Sequence, residues 1–446
     1  GGGNAAEVEG VVDNRHEEIG GSDNRLLVIQ AIHRCVVAGF GAHQQVGKQR
    51  GGAGFGEQFA QQSRRNFAAA TAAVRKLRQS DFFHITLAVH VSSPSKNPFG
   101  ATLAQLDQFD EIIDVRTPAE FAEDHIPGAI NCPVLDNEER IRVGTLHKQV
   151  SPFEANKVGA ALVARNIAQH IETRFHDRPK NWKPLIYCWR GGKRSGAMTI
   201  IFSQIGWQAR QLEGGYKNYR RGVNAELETL PQQFHYLTVC GPTGSGKSAL
   251  LQALHAAGGQ VLDLEQIARH KGSVLGVLPG ESQPSQKMFE SLILQQLRGF
   301  DPAQPVYVES ESRKVGTLRV PEKLIDSIRA AACIRIEAPL AARVDFLLRD
   351  YAYFLADPVW LLDRLDRLVE LHGRETVNRW RELVAQRQWP ELVGALLAEH
   401  YDPAYFKSMQ RNFARLDAAH VVALPNIDNM ALSTLASALQ QNRENP

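Results

Sequence analysis

At 446 residues the chain is too long for one ordinary core, and about 150 residues per domain leads to an expectation of two or three domains. A hydrophobic content of 43% and a charged content of 22% exclude a disordered or collagen-like chain, and a formal charge of +3 does not by itself announce a nucleic-acid binder. Five cysteines without a CxxC pair argue against a disulfide framework and a zinc site; with no apolar run near the ~20 residues of a membrane span and no signal-peptide start, a cytoplasmic protein without membrane contact is expected.

Residues 1–96 are rich in Gly, Ala, Gln and Arg, and no stretch of them sustains a strand or helix period. The chain begins with Gly1, and every methionine lies at Met198 or later. This segment is therefore set apart, as a flexible tail or as the product of upstream or misframed translation.

From Phe109 the texture changes. Glu111-Ile-Ile-Asp-Val-Arg116 reads as a strand, Pro118 to Glu123 as a helix, and Ile126-Pro-Gly-Ala129 as a turn. Pro184-Leu-Ile-Tyr187 is a second buried strand, running into Cys188-Trp-Arg-Gly-Gly-Lys-Arg194-Ser195 and then a helical stretch. A loop in that position can turn its amides toward one point at a helix N-terminus, where an anion is favoured. Arg190, Lys193 and Arg194 favour thiolate over thiol, Gly191 and Gly192 permit a tight cradle, and Trp189 is the one apolar neighbour in the loop. A nucleophile is expected; the alternative is a buried structural cysteine.

Asp114-Val-Arg-Thr-Pro-Ala-Glu-Phe121, His125-Ile-Pro-Gly-Ala129 and the Cys188 loop resemble the ordered motifs of a rhodanese domain. That resemblance implies a cysteine that carries a chalcogen, with Asp114, Arg116 and His125 in structural roles. The Cys-x5-Arg spacing from Cys188 to Arg194 is one residue longer than in simple sulfurtransferases and equals that of rhodanese-fold phosphatases. A wider loop suits a tetrahedral anion, so a phosphatase reading stays open, although no acid is placed to protonate a leaving group.

Strand, loop and helix recur at Leu237–Cys240, Gly241–Lys247 and Ser248–Ala257, with the two α/β units joined near residues 230–235. Gly241-Pro-Thr243-Gly244-Ser245-Gly246-Lys247-Ser248 matches G-x-x-x-x-G-K-[ST] between a strand and a helix. Its amides would cradle a diphosphate, Lys247 would neutralise the terminal oxygens, and Ser248 would hold Mg²⁺. Val306-Tyr-Val-Glu309-Ser-Glu311 offers Glu309 or Glu311 as the metal-assisting acid; a solvated strand end is the alternative. No Asn-Lys-x-Asp motif follows, so a GTPase is not expected, and any Mg²⁺-bound diphosphate fits, including one whose other end is apolar. Beyond Arg343 the pattern is helical, with Phe346, Leu347, Tyr351 and Phe354 on one face and Leu361, Leu362, Leu365 and Leu368 on another.

A rhodanese module followed by a P-loop, with Gly214-Gly-Tyr-Lys-Asn-Tyr-Arg220, Pro284-Ser-Gln-Lys287 and Glu309-Ser-Glu-Ser-Arg313, resembles the bacterial tRNA 2-selenouridine synthase family over about residues 100–446. The resemblance implies an α/β fold: a rhodanese-like domain over 97–229, then a P-loop NTPase-like domain over 230–446 with a helical C-terminal extension. It also implies transfer of a geranyl group from geranyl diphosphate to wobble 2-thiouridine in tRNA, followed by exchange of the geranylthio group for selenium from selenophosphate, with no prosthetic group. Cys188 would carry or relay selenium, Arg190, Lys193 and Arg194 would hold the anion, and Lys247 with Ser248 would bind the diphosphate and its Mg²⁺.

For RNA, the late helices offer Arg343, Arg349, Arg364, Arg367, Arg374, Arg379, Arg381 and Arg387, interleaved with Tyr351, Tyr353 and Trp380. The alternative is pairing with Asp345, Asp350, Asp363 and Asp366 on solvated faces. Rival functions are an ATP-dependent tRNA sulfurtransferase, a rhodanese-fold phosphatase fused to a nucleotide-binding domain, and a regulatory nucleotide switch.

Overall fold

The structure is a computed structural model that describes residues 97–273 and 275–441; the N-terminal segment 1–96 lies outside the described residues. Two five-stranded parallel sheets follow one another along the chain.

The first sheet is built from β1 (Gly100–Ala101), β2 (Glu111–Asp114), β3 (Ile130–Asn131), β4 (Pro184–Tyr187) and β5 (Arg210–Leu212), in the order β1-β5-β4-β2-β3. Ile113 faces Ile186 across the centre, and β4 is buried along its whole length, as an apolar strand covered on both sides must be. Its helices are α1 (Pro118–Glu123), α2 (Asn137–Gln149), α3 (Pro152–His170), α4 (Lys193–Ile205) and α5 (Gly215–Leu227). Helix α1 starts where the sequence marks a start: Thr117 and Glu120 form a reciprocal capping box with Pro118 in the first turn.

The second sheet contains β6 (Tyr236–Cys240), β7 (Gln260–Leu262), β8 (Val306–Glu309), β11 (Ala332–Glu337) and β12 (His420–Ala423), ordered β12-β11-β6-β8-β7; β9 (Lys314–Val315) and β10 (Leu318–Arg319) form a small hairpin. Strand β6 is central, so the loop leaving its C-terminal end opens into the crevice where the strand order diverges. Around it lie α6 (Lys247–Ala256), α7 (Leu264–Ala268), α8 (Gln286–Arg298) and α9 (Glu322–Ala330). The helical part comprises α10 (Leu340–Asp350), α11 (Ala352–Ala356), α12 (Pro358–Asp366), α13 (Val369–Ala385), α14 (Trp389–Leu396), α15 (Asp402–Asn412) and α16 (Asn429–Gln441), with a core that includes Leu361, Leu365, Val377, Trp380 and Leu392. Among the described residues no helix is long and apolar enough to cross a membrane.

The two sheets belong to one compact unit. The motifs around Tyr216 and Ser285 form its seam. Buried Asp124, at the end of α1, accepts from the Tyr216 hydroxyl at 2.7 Å and from the Ser291 hydroxyl of α8 at 3.1 Å. Burial raises the Asp124 carboxyl above its ordinary range, and those two hydrogen bonds oppose the shift. Lys287 pairs with Glu123 at 2.6 Å, and Arg220 pairs with Glu290.

Candidate active site

Cys188 sits at the C-terminal end of β4. Its sulfur receives the Gly192 amide at 3.2 Å and the Ser195 hydroxyl at 3.1 Å. Gln211 on β5 fixes that arrangement by donating to Ser195 Oγ at 2.8 Å and to the Gly192 carbonyl at 3.0 Å. The loop is also held from outside, because the amides of Tyr216 and Lys217 at the start of α5 donate to the Cys188 and Trp189 carbonyls. Close approach explains a glycine here: a Cβ on Gly215, at φ +57°, would stand 2.2 Å from the Cys188 carbonyl oxygen.

One expectation about this loop needs correction. Cys188 is 3% exposed and packs in a cluster with Ile113, Val115, Cys132 and Met198, so Trp189 is not its sole apolar neighbour. The sheet supplies those contacts, which residues adjacent in sequence could not reveal. Two of the three cations of the loop also have partners in the fold. Arg194 pairs with Glu120 at 2.9 Å, Lys193 donates to Asn156 at 3.2 Å, and Arg190 is exposed at the rim. Burial would raise the Glu120 carboxyl, but Arg194, the Thr117 amide and Arg116 together hold it below its ordinary range.

The phosphate loop leaves β6 and enters α6. Gly244 and Gly246 adopt φ of +79° and +81°, and a Cβ on either would press within 3 Å of Leu347 or Ile427. Outside residues brace the loop: the Gly241 amide donates to the Tyr405 hydroxyl at 2.6 Å, and buried Arg343 donates to the Thr243 carbonyl at 2.9 Å while gripping Asp402 at 2.6 Å. Lys247 folds back onto the Gly241 carbonyl at 2.8 Å, and the Ser245 hydroxyl is buried without a partner. The Ser248 hydroxyl donates to Glu265 at 2.8 Å, a residue the sequence reading did not single out.

Glu265 belongs to a group of four carboxyls with Asp263, Glu309 and Glu311. Glu309 is fully buried; one oxygen accepts from the Glu265 amide at 2.9 Å and the other has no partner. Burial and then the charges of Asp263 and Glu265 push it well above the ordinary carboxylate range. Burial and the Glu265 charge raise Glu311 to about 8, with Lys247 pulling the other way. Both sequence-predicted acids are therefore at the loop, in unequal settings. Cys240 and Cys333, far apart in sequence, come together on neighbouring strands just before it.

Beside the loop the helical part lines a narrow apolar cleft with a cavity volume of about 70 Å³. Leu347, Leu348, Leu355, Val393 and Leu397 line it, and so does Thr243 of the phosphate loop. The helix face predicted from Phe346, Leu347, Tyr351 and Phe354 is broken at Tyr351 between α10 and α11, and Leu347, Tyr351 and Phe354 line the cleft.

Most of the late-helix arginines are engaged within the chain. Arg343 holds Asp402, Arg364 and Arg367 lie against Asp363, Arg379 pairs with Glu399, Arg381 pairs with Asp366, and Arg349 caps the Ile427 carbonyl. Trp380 is fully buried, and Tyr351 and Tyr353 pack on Phe354. Most of the charges are intramolecular pairs, while Arg374 and Arg387 are exposed with no ion pair among the described residues; Trp380 is core and Tyr351 lines the cleft.

Fold and loops together define a rhodanese-like domain joined to a P-loop domain. Residues 99–222 match the family model of the rhodanese-like domain, and residues 234–363 match that of the tRNA 2-selenouridine synthase AAA domain. The chain is 35% identical over 341 residues to the tRNA 2-selenouridine synthase of Chromohalobacter salexigens, covering 70% of this chain and 90% of that one. It is 30% identical over 352 residues to the protein of the same name from Hydrogenovibrio crunogenus, covering 70% and 95%, and 34% identical over 265 residues to that of Nitrosomonas europaea, covering 58% and 67%. The chain belongs to the tRNA 2-selenouridine synthase family.

Proposed function

We propose that the chain is a tRNA-modifying transferase that places a geranyl group from geranyl diphosphate on the sulfur of wobble 2-thiouridine and then exchanges the geranylthio group for selenium from selenophosphate. One observation carries the choice of a prenyl diphosphate over a nucleotide. The cleft that shares Thr243 with the phosphate loop is lined mainly by leucines, which suit an isoprenoid tail and leave a base and ribose short of polar partners.

In the first step the thio sulfur attacks C1 of the geranyl group and diphosphate leaves. The loop amides and Lys247 stabilise the charge that develops on the leaving group. Mg²⁺ fits the residues present, since Glu309 has a buried carboxyl oxygen without a partner and the Ser248 hydroxyl lies against Glu265. Among the described residues no three metal-binding side chains form a site by themselves, so Ser248, Glu265 and Glu311 would hold the ion jointly with the diphosphate. When bound it would neutralise the diphosphate and the crowded carboxyls.

Cys188 serves the selenium step. Its Gly192 and Ser195 donors steady charge on sulfur, and Arg190 at the rim, with Lys193 and Arg194, meets the selenophosphate-sized anion. Calorimetric titration tests the assignment of the two halves of the ligand. Geranyl diphosphate should bind more tightly than inorganic pyrophosphate, and Val393→Trp should weaken geranyl diphosphate by about tenfold or more while sparing pyrophosphate. Tight ATP binding with no response to geranyl diphosphate would favour the ATP-dependent sulfurtransferase instead.

A further inference from the structure

A group of cations without acidic partners lies around the β9–β10 hairpin, the end of α9 and α15. Arg313 closes the base of the β9–β10 hairpin, its carbonyl accepting the Val320 amide at 3.1 Å. Arg329 lies in the last turn of α9, partly buried, with its Nε buried and lacking any hydrogen-bond partner. Arg411 is in the last turn of α15 and Arg415 follows; both are exposed, as are Lys407 and Phe406. Lys407 and Arg411 are four residues apart and so share one face of α15. None of these cations makes an ion pair among the described residues, whereas the late-helix cations from Arg364 to Arg381 mostly do.

The cluster works against itself. Burial and the nearby charges of Arg313 and Arg411 make protonated Arg329 less favourable than usual, and Asp326 is the one acid that opposes them. A chain gains no folding stability from such a grouping, but an anion laid across it would relieve the repulsion. Because the cations come from a hairpin base and two helices, they suit a polyanion with several phosphates better than a single phosphate group. Phe406 adds an exposed ring on which an unpaired base can stack.

The patch is joined to the chemistry on two sides. Helix α15 also carries Tyr405, whose hydroxyl accepts the Gly241 amide, and Arg313 follows Glu311 by two residues. We propose that the face formed by Arg313, Arg329, Lys407, Arg411 and Arg415 binds the sugar–phosphate backbone of the RNA substrate and delivers it to the phosphate loop. This rests on the reading that the substrate is tRNA.

The test is filter binding of unfractionated tRNA to the full chain across a salt series. It compares the wild type with Arg313→Gln/Arg329→Gln/Arg411→Gln and with a control triple in the ion-paired region, Arg367→Gln/Arg379→Gln/Arg381→Gln. The patch triple should bind at least about tenfold more weakly, with the slope of log affinity against log salt reduced by about 2. It should keep pyrophosphate binding and melt no lower than the wild type, while the control keeps nearly wild-type affinity. Unchanged affinity and slope in the patch triple, or equal losses in both triples, would overturn the patch and leave the tRNA reading standing. Failure of the wild type itself to bind tRNA would remove that reading, and the patch with it.

Discussion

The Cys188 loop and the phosphate loop are built on the same strand–loop–helix plan, yet they differ in how far their polar groups are matched within the chain. Around Cys188 the polar groups are matched: the sulfur has two donors, Ser195 has Gln211, and Arg194 has Glu120. Around Lys247 they are not. The Ser245 hydroxyl and one Glu309 oxygen are buried without partners, and four carboxyls crowd together. On the proposed function, the difference would separate a preorganised cradle for chemistry at sulfur from a charged site completed by diphosphate and cation.

The sharpest way to break the comparison is Cys188→Ser. It should reduce selenium incorporation to background while leaving geranylation within about twofold, measured as nucleoside products from tRNA. Joint loss of both steps would show that the loops are not separate sites. Next in size, Lys247→Ala should weaken geranyl diphosphate by about 10–100-fold, the value of a charge-assisted contact, without affecting the cradle.

A smaller effect concerns stability. Glu311 has a folded-state value near 8 against an ordinary value of 4.5, so the folded chain binds more protons than the unfolded chain between those limits. Stability contributed by the protonated form is fully present below the ordinary value and is lost as pH rises toward 8. The melting temperature without Mg²⁺ should therefore fall from pH 5 to pH 8, Glu311→Gln should flatten that fall, and Mg²⁺ with pyrophosphate should restore the loss at pH 8. Smallest, Ser195→Ala removes one of two donors to Cys188 and should slow selenium transfer by about tenfold, leaving geranyl diphosphate affinity unchanged.

Much of this arrangement is legible in the sequence because both loops are local. Gly241 to Ser248 and Cys188 to Ser195 are contiguous runs whose backbone path follows from glycine placement and the flanking strand and helix. What joins residues across strands is not legible in that way. Glu265, Tyr405 and Arg343 brace or face the P-loop from 17 to 164 positions away, and no spacing rule predicts them. Arginine counting says little for a related reason. The late helices are rich in arginine, but most of these have an acid at pairing distance once folded, whereas the cations near Arg329 form no ion pair among the described residues. Glu309 and Glu311 could be named from the end of β8, but their unequal burial could not.

The division of labour is tested most directly by mass spectrometry of wobble nucleosides from tRNA incubated with the purified chain. Geranyl diphosphate alone should yield geranylated 2-thiouridine, and later addition of selenophosphate should convert it to 2-selenouridine. Formation of neither product under these conditions would contradict the account.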